Sequence, residues 1–263
     1  MTVARAQTII PLAHPTPTIR TVRVVVAGDT LSFLFDTGGG VTVISPAVAA
    51  KIGCTPSGRS VGFRMTGQML SGPYCHDVAL SVGGIALHDD AGVMDFGPML
   101  GPTAPHVDGM ISLSTLRGRA LTLDLDKNQL IVETPTTLAR RVRDMTPLAA
   151  RLATGVSGDE LGVYIGIPVE KTMLWLEWDS EHNARTFLAP HAAALLGLTD
   201  STGRGEIALP FAPNVQPVIA VQTKDIIHDG VLSARLLERA TWTIDLATSR
   251  MWVGTIAPPP AGT

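Results

Sequence analysis

The chain repeats itself, and the repeat restricts its fold more than any other feature. "LSFLFDTGGGVTVISPAVAAKIG", residues 31–53, aligns with "LWLEWDSEHNARTFLAPHAAALLG", residues 174–197, once the second copy takes a one-residue insertion. Asp36 then falls on Asp179, Thr37 on Ser180, Pro46 on Pro190 and Gly53 on Gly197. A second pair of segments, starting at Asp108 and Asp229, aligns without a gap and matches Gly109 with Gly230, Ser112 with Ser233 and Asp124 with Asp245. "IIPLA" has an echo in "MTPLAA", with Pro11 above Pro147. Matches that recur in one order mark a duplicated architecture. The expected organisation is an N-terminal lobe over residues 1–135, a linker over 136–144 and a C-terminal lobe over 145–263.

Periodicity says what each copy is made of. "TVRVVVAGDTLSFLFD" reads as two strands joined by a turn at Gly28-Asp29, the second alternating Leu31, Phe33 and Phe35 with Ser32 and Leu34. "SPAVAAKIG" reads as a short helix, with Ser45 as N-cap, Pro46 at its first position and Gly53 beyond its end. Segments such as "DVALSVGGIALHD" and "RALTLDLDKNQLIVE" alternate again around turn residues. The fold class is therefore all-β, with two related β-barrel-like lobes and short helices. The arginine-rich "TPTTLARRVRD" between the copies reads as a solvated linker or a short surface helix.

Composition narrows the partners. The 263 residues suffice for one large all-β domain or two ordinary ones, and 45% hydrophobic against 16% charged residues describes a globular chain. A net charge of -3 offers no electrostatic footprint for nucleic acid or an anionic membrane, so neither is an expected partner. No apolar run has the length of a membrane-spanning helix. "IRTVRVVVAG" suits a strand better than the core of a signal peptide. The compartment stays open: periplasmic or secreted for a trimmed mature chain, cytoplasmic otherwise. Cys54 and Cys75 are the two cysteines, too few for a disulfide scaffold. They bridge if the protein is exported; two buried thiols are the plainer expectation.

"FDTGGGVTVIS" places a carboxylate between an apolar strand and three glycines. The triplet Asp36-Thr37-Gly38, the strand residue Phe35 before it and Thr42-Val43-Ile44 after it, together with the later Asp-Gly-apolar-apolar segments, resemble the aspartic proteases of the pepsin and retropepsin type. Since both copies take part, the resemblance spans nearly the whole chain. It implies a bilobal pepsin-like fold and an aspartic endopeptidase with Asp36 and Asp179 as catalytic pair, a peptide or protein substrate and no cofactor. Thr37, Gly38, Ser180 and Glu181 would form the supporting loops.

Two carboxylates about 3 Å apart cannot both ionise, so one holds a proton while the other activates water. Glycines after Asp36 allow a close approach that a β-carbon would block. The resemblance also implies a mobile hairpin over the cleft. Met65, Thr66, Gly67, Gln68 and Met69 are its candidate residues, because the interval from Cys54 to Asp108 is far longer than that from Leu198 to Asp229. The apolar candidates there predict a preference for large hydrophobic side chains around the cut bond.

The second loop departs from the family pattern. Glu181 stands where a glycine belongs, with His182 and Asn183 beside it, and Ser112 and Ser233 replace glycines of the later segments. Asp179, Glu181 and His182 could chelate a hard cation, but no further ligands lie at nearby spacing, so no metal is expected. His106 and His228 read as structural or surface groups. The alternatives to a monomeric enzyme are a degenerate fold that binds peptides without cutting and a homodimer pairing two copies of Asp36.

Overall fold

Short apolar runs separated by turn residues put most of the chain into strands. The structure, a computed structural model, describes residues 7–155, 158–182, 185–198 and 202–259; Asn183 lies outside the described residues. The first half contains β1 (Thr8–Thr16), β2 (Ile19–Val26), β3 (Asp29–Phe35), β4 (Val43–Ile44), β5 (Ser57–Phe63), β6 (Met69–Val82), β7 (Ile85–Val93), β8 (Gly109–Ile111), β9 (Ala120–Asp124) and β10 (Gln129–Glu133). The second half contains β11 (Thr146–Leu148), β12 (Ala150–Ala153), β13 (Gly162–Val169), β14 (Thr172–Glu177), β15 (Thr186–Leu188), β16 (Arg204–Ala208), β17 (Val218–Thr223), β18 (Gly230–Val231), β19 (Thr241–Asp245) and β20 (Arg250–Val253). Helices are short: α1 (Pro46–Lys51), α2 (Gly97–Leu100), α3 (Pro135–Arg141), α4 (Pro190–Leu195) and α5 (Ala234–Leu237). The chain is all-β.

The sequence repeat becomes a repeat of strand pairing. In the first lobe β3 runs parallel to β8, β8 antiparallel to β4, and β4 parallel to β7. In the second, β14 runs parallel to β18, β18 antiparallel to β15, and β15 parallel to β17. The acid-bearing strand of each copy is thus held by the Asp-Gly segment of the same copy. Asp108 accepts from Ser32 N–H at 2.9 Å, and Asp229 accepts from Trp175 N–H at 2.7 Å. The glycines that follow are obligatory: a Cβ at Gly109 would stand 2.3 Å from the Phe33 ring and one at Gly230 2.7 Å from the Phe187 carbonyl oxygen.

A shared layer, in the order β11-β20-β19-β9-β10-β1, joins the halves. At its centre β9 pairs antiparallel with β19, where Thr122 faces Thr243 and their hydroxyls lie 2.9 Å apart. Trp178, Trp242, Phe33 and Phe35 are fully buried, so the strands leading to both candidate acids are anchored in the core.

Local readings mostly translate directly. Ser45 caps α1 by accepting from Val48 N–H, and Pro46 stands at its start. The arginine-rich stretch enters the short helix α3. The β2–β3 turn lies one residue earlier than its sequence suggests, at Ala27 and Gly28 with φ of 49° and 86°, because Val26 pairs with Asp29 and leaves these two as the hairpin loop. The cysteines are a correction: Cys54 and Cys75 form a disulfide rather than two buried thiols. Residue 54 follows the end of α1 and residue 75 lies within β6, elements that folding brings side by side.

Candidate active site

Asp36 follows β3 and Asp179 follows β14, each where its strand turns away from the sheet. The strands end at the same place because the duplicated Asp-Gly segments pair with them in the same register, Phe35 with Ile111 and Glu177 with Val231. Each acid accepts a hydrogen bond from the backbone N–H two residues on: Gly38 to Asp36 at 2.8 Å and Glu181 to Asp179 at 2.9 Å. The two carboxyl groups lie close enough to shift each other's ionisation. A Cβ at Gly38 would come within 2.7 Å of Asp179 Cγ, so the glycine permits the second acid's approach.

The residues between them lock the loops. The Thr37 hydroxyl donates to the Trp178 carbonyl at 2.6 Å and accepts from Ser180 N–H at 2.9 Å. In return, Thr37 N–H donates to the Ser180 hydroxyl at 3.1 Å, and that hydroxyl faces the Phe35 carbonyl at 3.5 Å. Both side chains are fully buried, where leaving a polar group unpaired is costly. The loops are therefore fixed against one another across the two halves.

Burial and proximity set the protonation. Burial raises both acids above the ordinary aspartate range. Asp179 is raised further by the charges of Asp36, Glu177 and Glu181, whereas Asp36 is drawn down by hydrogen bonds from Gly38, Asp179 and Gly39. The two acids therefore titrate as a coupled pair, in which ionisation of one opposes ionisation of the other. The pair lies in a cleft of about 1110 Å³.

An aspartyl protease family profile matches residues 22–115, the part that carries Asp36 and β8. No curated protein sequence matches the chain. The basic 7S globulin from soybean has a similar fold, with a TM-score of 0.63 and 11% identity over 99% of this chain and 98% of that one. Conglutin gamma, a basic 7S globulin from lupine seeds, gives 0.61 and 10% over 97% and 96%. The chain is an aspartic-protease-fold protein.

Within this aspartic-protease fold, the departures noted in the sequence acquire reasons. Ser112 and Ser233 cap the short helical turns after β8 and β18, accepting from Ser114 and Leu236 N–H, and their own N–H groups donate to Thr42 and Thr186. Glu181 supplies the same backbone N–H as Gly38 and sends its carboxylate across to the other half, where it accepts from Arg20 N–H at 3.0 and 3.3 Å. The buried Arg20 guanidinium pairs in turn with Glu238. Burial, and secondarily Asp36, push Glu181 up to about 9. His182 stacks edge-on to Phe187 at 4.4 Å, and burial holds it down at about 4, so it is neutral above that.

The hairpin of β5 and β6 reaches over the cleft. Gly67 turns its tip at φ 78°, and the Met65 carbonyl accepts from Ile227 N–H at 2.9 Å on the opposite lobe. Met65 also packs with Phe187, Ile226 and Val231. Met65, Thr66 and Gln68 line the cleft. Met69, predicted to join them, is not among the cleft-lining residues: it pairs with Phe63 at the start of β6 and is 61% exposed.

Sequence reading missed the buried Arg20, which gave no signal, and three cleft groups. Glu160 also lines the cleft, with its carboxyl raised by burial and then by Asp159. Glu177 had a signal in the repeat, a charge opposite Leu34. His228, read as structural or surface, lines the cleft beside it, whereas His106 is exposed.

Proposed function

We propose that this protein is an aspartic endopeptidase. The observation that carries this reading is the pair of closely interacting carboxyls, one from each repeat, that line one cleft of about 1110 Å³. A water held between them would lose its proton to Asp36 as its oxygen attacks the scissile carbonyl carbon. Asp179 would deliver its proton to the carbonyl oxygen, giving a neutral tetrahedral diol. Breaking the C–N bond then sends the proton on Asp36 to the leaving nitrogen, while a diol hydroxyl returns one to Asp179. The pair ends as it began, and no cofactor enters. The Thr37 and Ser180 lock contributes by holding the acids in register before substrate arrives. The β5–β6 hairpin would act as the flap.

Both acids belong to one chain, so this reading needs no second copy and takes the monomer as the working form. Cleavage of a complex peptide mixture across pH 3 to 8 tests it. The wild type is expected to cut, and Asp36→Asn and Asp179→Asn each to lose roughly 10²–10⁴-fold in kcat/KM with the fold intact. A second reading, a peptide-binding protein that does not cut, is favoured by Glu181, a bulky acidic residue at the place that Gly38 holds in the other loop. Peptide binding without cleavage at any pH would select it.

A further inference from the structure

The two halves differ beside the second acid. Leu34 precedes Asp36 by two positions; in lobe one it is buried with Val43, Phe96, Val107 and Met110. Its counterpart is Glu177. Thr21, which faces Leu34 across the β2–β3 pairing, is replaced by Tyr164, which faces Glu177 across β13–β14. Val107, just before Asp108, is replaced by His228, just before Asp229. Three positions that carry no titratable group in one lobe are thus all titratable in the other.

These groups face the cleft and one another. Glu177, His228 and Tyr164 all line it. The Glu177 carboxylate stands 3.4 Å from His228 Nε2, and the Tyr164 hydroxyl 3.4 Å from His228 Nδ1. Residues two apart on a strand share a face, so Glu177 projects on the same side as Asp179. Glu177 is 9% exposed, and among the described residues no hydrogen bond is donated to its carboxylate. Burial, and then Asp36, push Glu177 up to about 8, so a cation beside it would supply the countercharge that holds it ionised below that pH. His228 is a weak countercharge, since burial lowers its pKa. The nearby Arg151 guanidinium lies over the rings of Tyr164 and Trp175, at 5.3 and 4.6 Å. Among the described residues the cleft carries the acidic Asp36, Glu160, Glu177, Asp179 and Glu181 against the basic Arg64 and Lys224.

We propose that Glu177, flanked by His228 and Tyr164, forms a subsite for the cationic side chain of a substrate lysine or arginine next to the scissile bond. An ammonium or guanidinium group supplies the missing donors to the carboxylate, and its aliphatic stem lies along the Tyr164 ring. A basic preference on this side departs from the wholly hydrophobic one that the cleft's sequence suggests. The inference rests on the peptidase reading for the bond that is cut, while the subsite binds a cationic chain whether or not cleavage follows.

The test uses the full chain with peptide sets that vary one residue on either side of the cut, and a lysine-containing peptide whose central bond is a reduced, uncleavable amide. The wild type is expected to favour lysine or arginine over leucine on one side by at least about tenfold in kcat/KM, or ~1.4 kcal/mol. Glu177→Leu, which installs the lobe-one residue, and Glu177→Gln, which keeps the shape, should each lower that ratio about tenfold or more. Both should weaken calorimetric binding of the uncleavable lysine peptide relative to its leucine analogue. Cleavage without a basic preference, or with one that both variants retain, overturns the subsite and leaves the peptidase. Glu177-dependent binding without cleavage supports the subsite and overturns the peptidase. Absence of both cleavage and binding overturns the two together.

Discussion

At the scale of single residues, the chemistry depends on which side chains fill equivalent places in the two loops. Gly38 is forced by the 2.7 Å approach of Asp179 Cγ, whereas Glu181 occupies its counterpart and accepts from Arg20 N–H. This asymmetry has a measurable cost. Glu181 is pushed up to about 9 and Glu177 to about 8, chiefly by burial. Between the ordinary glutamate range and those values the folded chain binds more protons than the unfolded chain, so stability must fall as pH rises. His182, held at about 4, acts in the opposite direction and only below its ordinary value of 6.5. The melting temperature is therefore expected to fall between pH 6.5 and pH 9. Glu181→Gln, which keeps an acceptor for Arg20 N–H, should flatten that fall; an equal slope in the two proteins would contradict the assignment. Thr37→Val keeps the side-chain shape but strips the Trp178 carbonyl and Ser180 N–H of their partner. It is expected to lose about 2–4 kcal/mol in urea denaturation, as each buried group left unpaired costs roughly 1–3 kcal/mol.

At the scale of elements, the β5–β6 hairpin and the disulfide are set by how strands meet. The hairpin tip is joined to the second lobe through the Met65 carbonyl and Ile227 N–H, with Gly67 at φ 78° and only 3.3 Å from Ile227 for any added Cβ. Gly67→Val should strain the turn and press on Ile227, opening the hairpin. The expected result is a several-fold rise in KM in the peptide assay, with a smaller change in kcat if the hairpin chiefly holds substrate. Cys54 and Cys75 are 21 positions apart. Closing a loop of that length contributes about 3 kcal/mol on the chain-entropy account, so replacing both by serine should lower the denaturation midpoint by a corresponding amount. The helix α1 and the β2–β3 hairpin were legible because capping and turn chemistry act between neighbours in sequence. The inward and outward faces of β6 were not, since the hairpin's register decides them.

At the scale of the whole molecule, the halves are joined by the β9–β19 pairing and by the crossed Thr37 and Ser180 hydrogen bonds. A fragment of residues 1–135 would expose β9 as a free edge without its partner. It is expected to self-associate, as light scattering would reveal; a monomeric, cooperatively folding fragment would show that the joining layer is dispensable. The duplication was legible because aligned acids, glycines and prolines survive comparison of one half with the other. It predicted the all-β bilobal fold and singled out Asp36 and Asp179. What those two groups meet is another matter. The Arg20–Glu181 contact joins residues 161 positions apart, and the lock between Thr37 and Ser180 spans 143. By itself the sequence determined the strand pattern and the helix cap, and its duplication aligned Asp36 with Asp179, because periodicity, capping and duplication are local or self-referential. Only the tertiary structure decided that the two acids meet in one cleft, that Glu181 reaches across to Arg20 and that Glu177 faces the cleft beside His228. Burial and electrostatic coupling are properties of distance in space, and separation along the chain does not encode them.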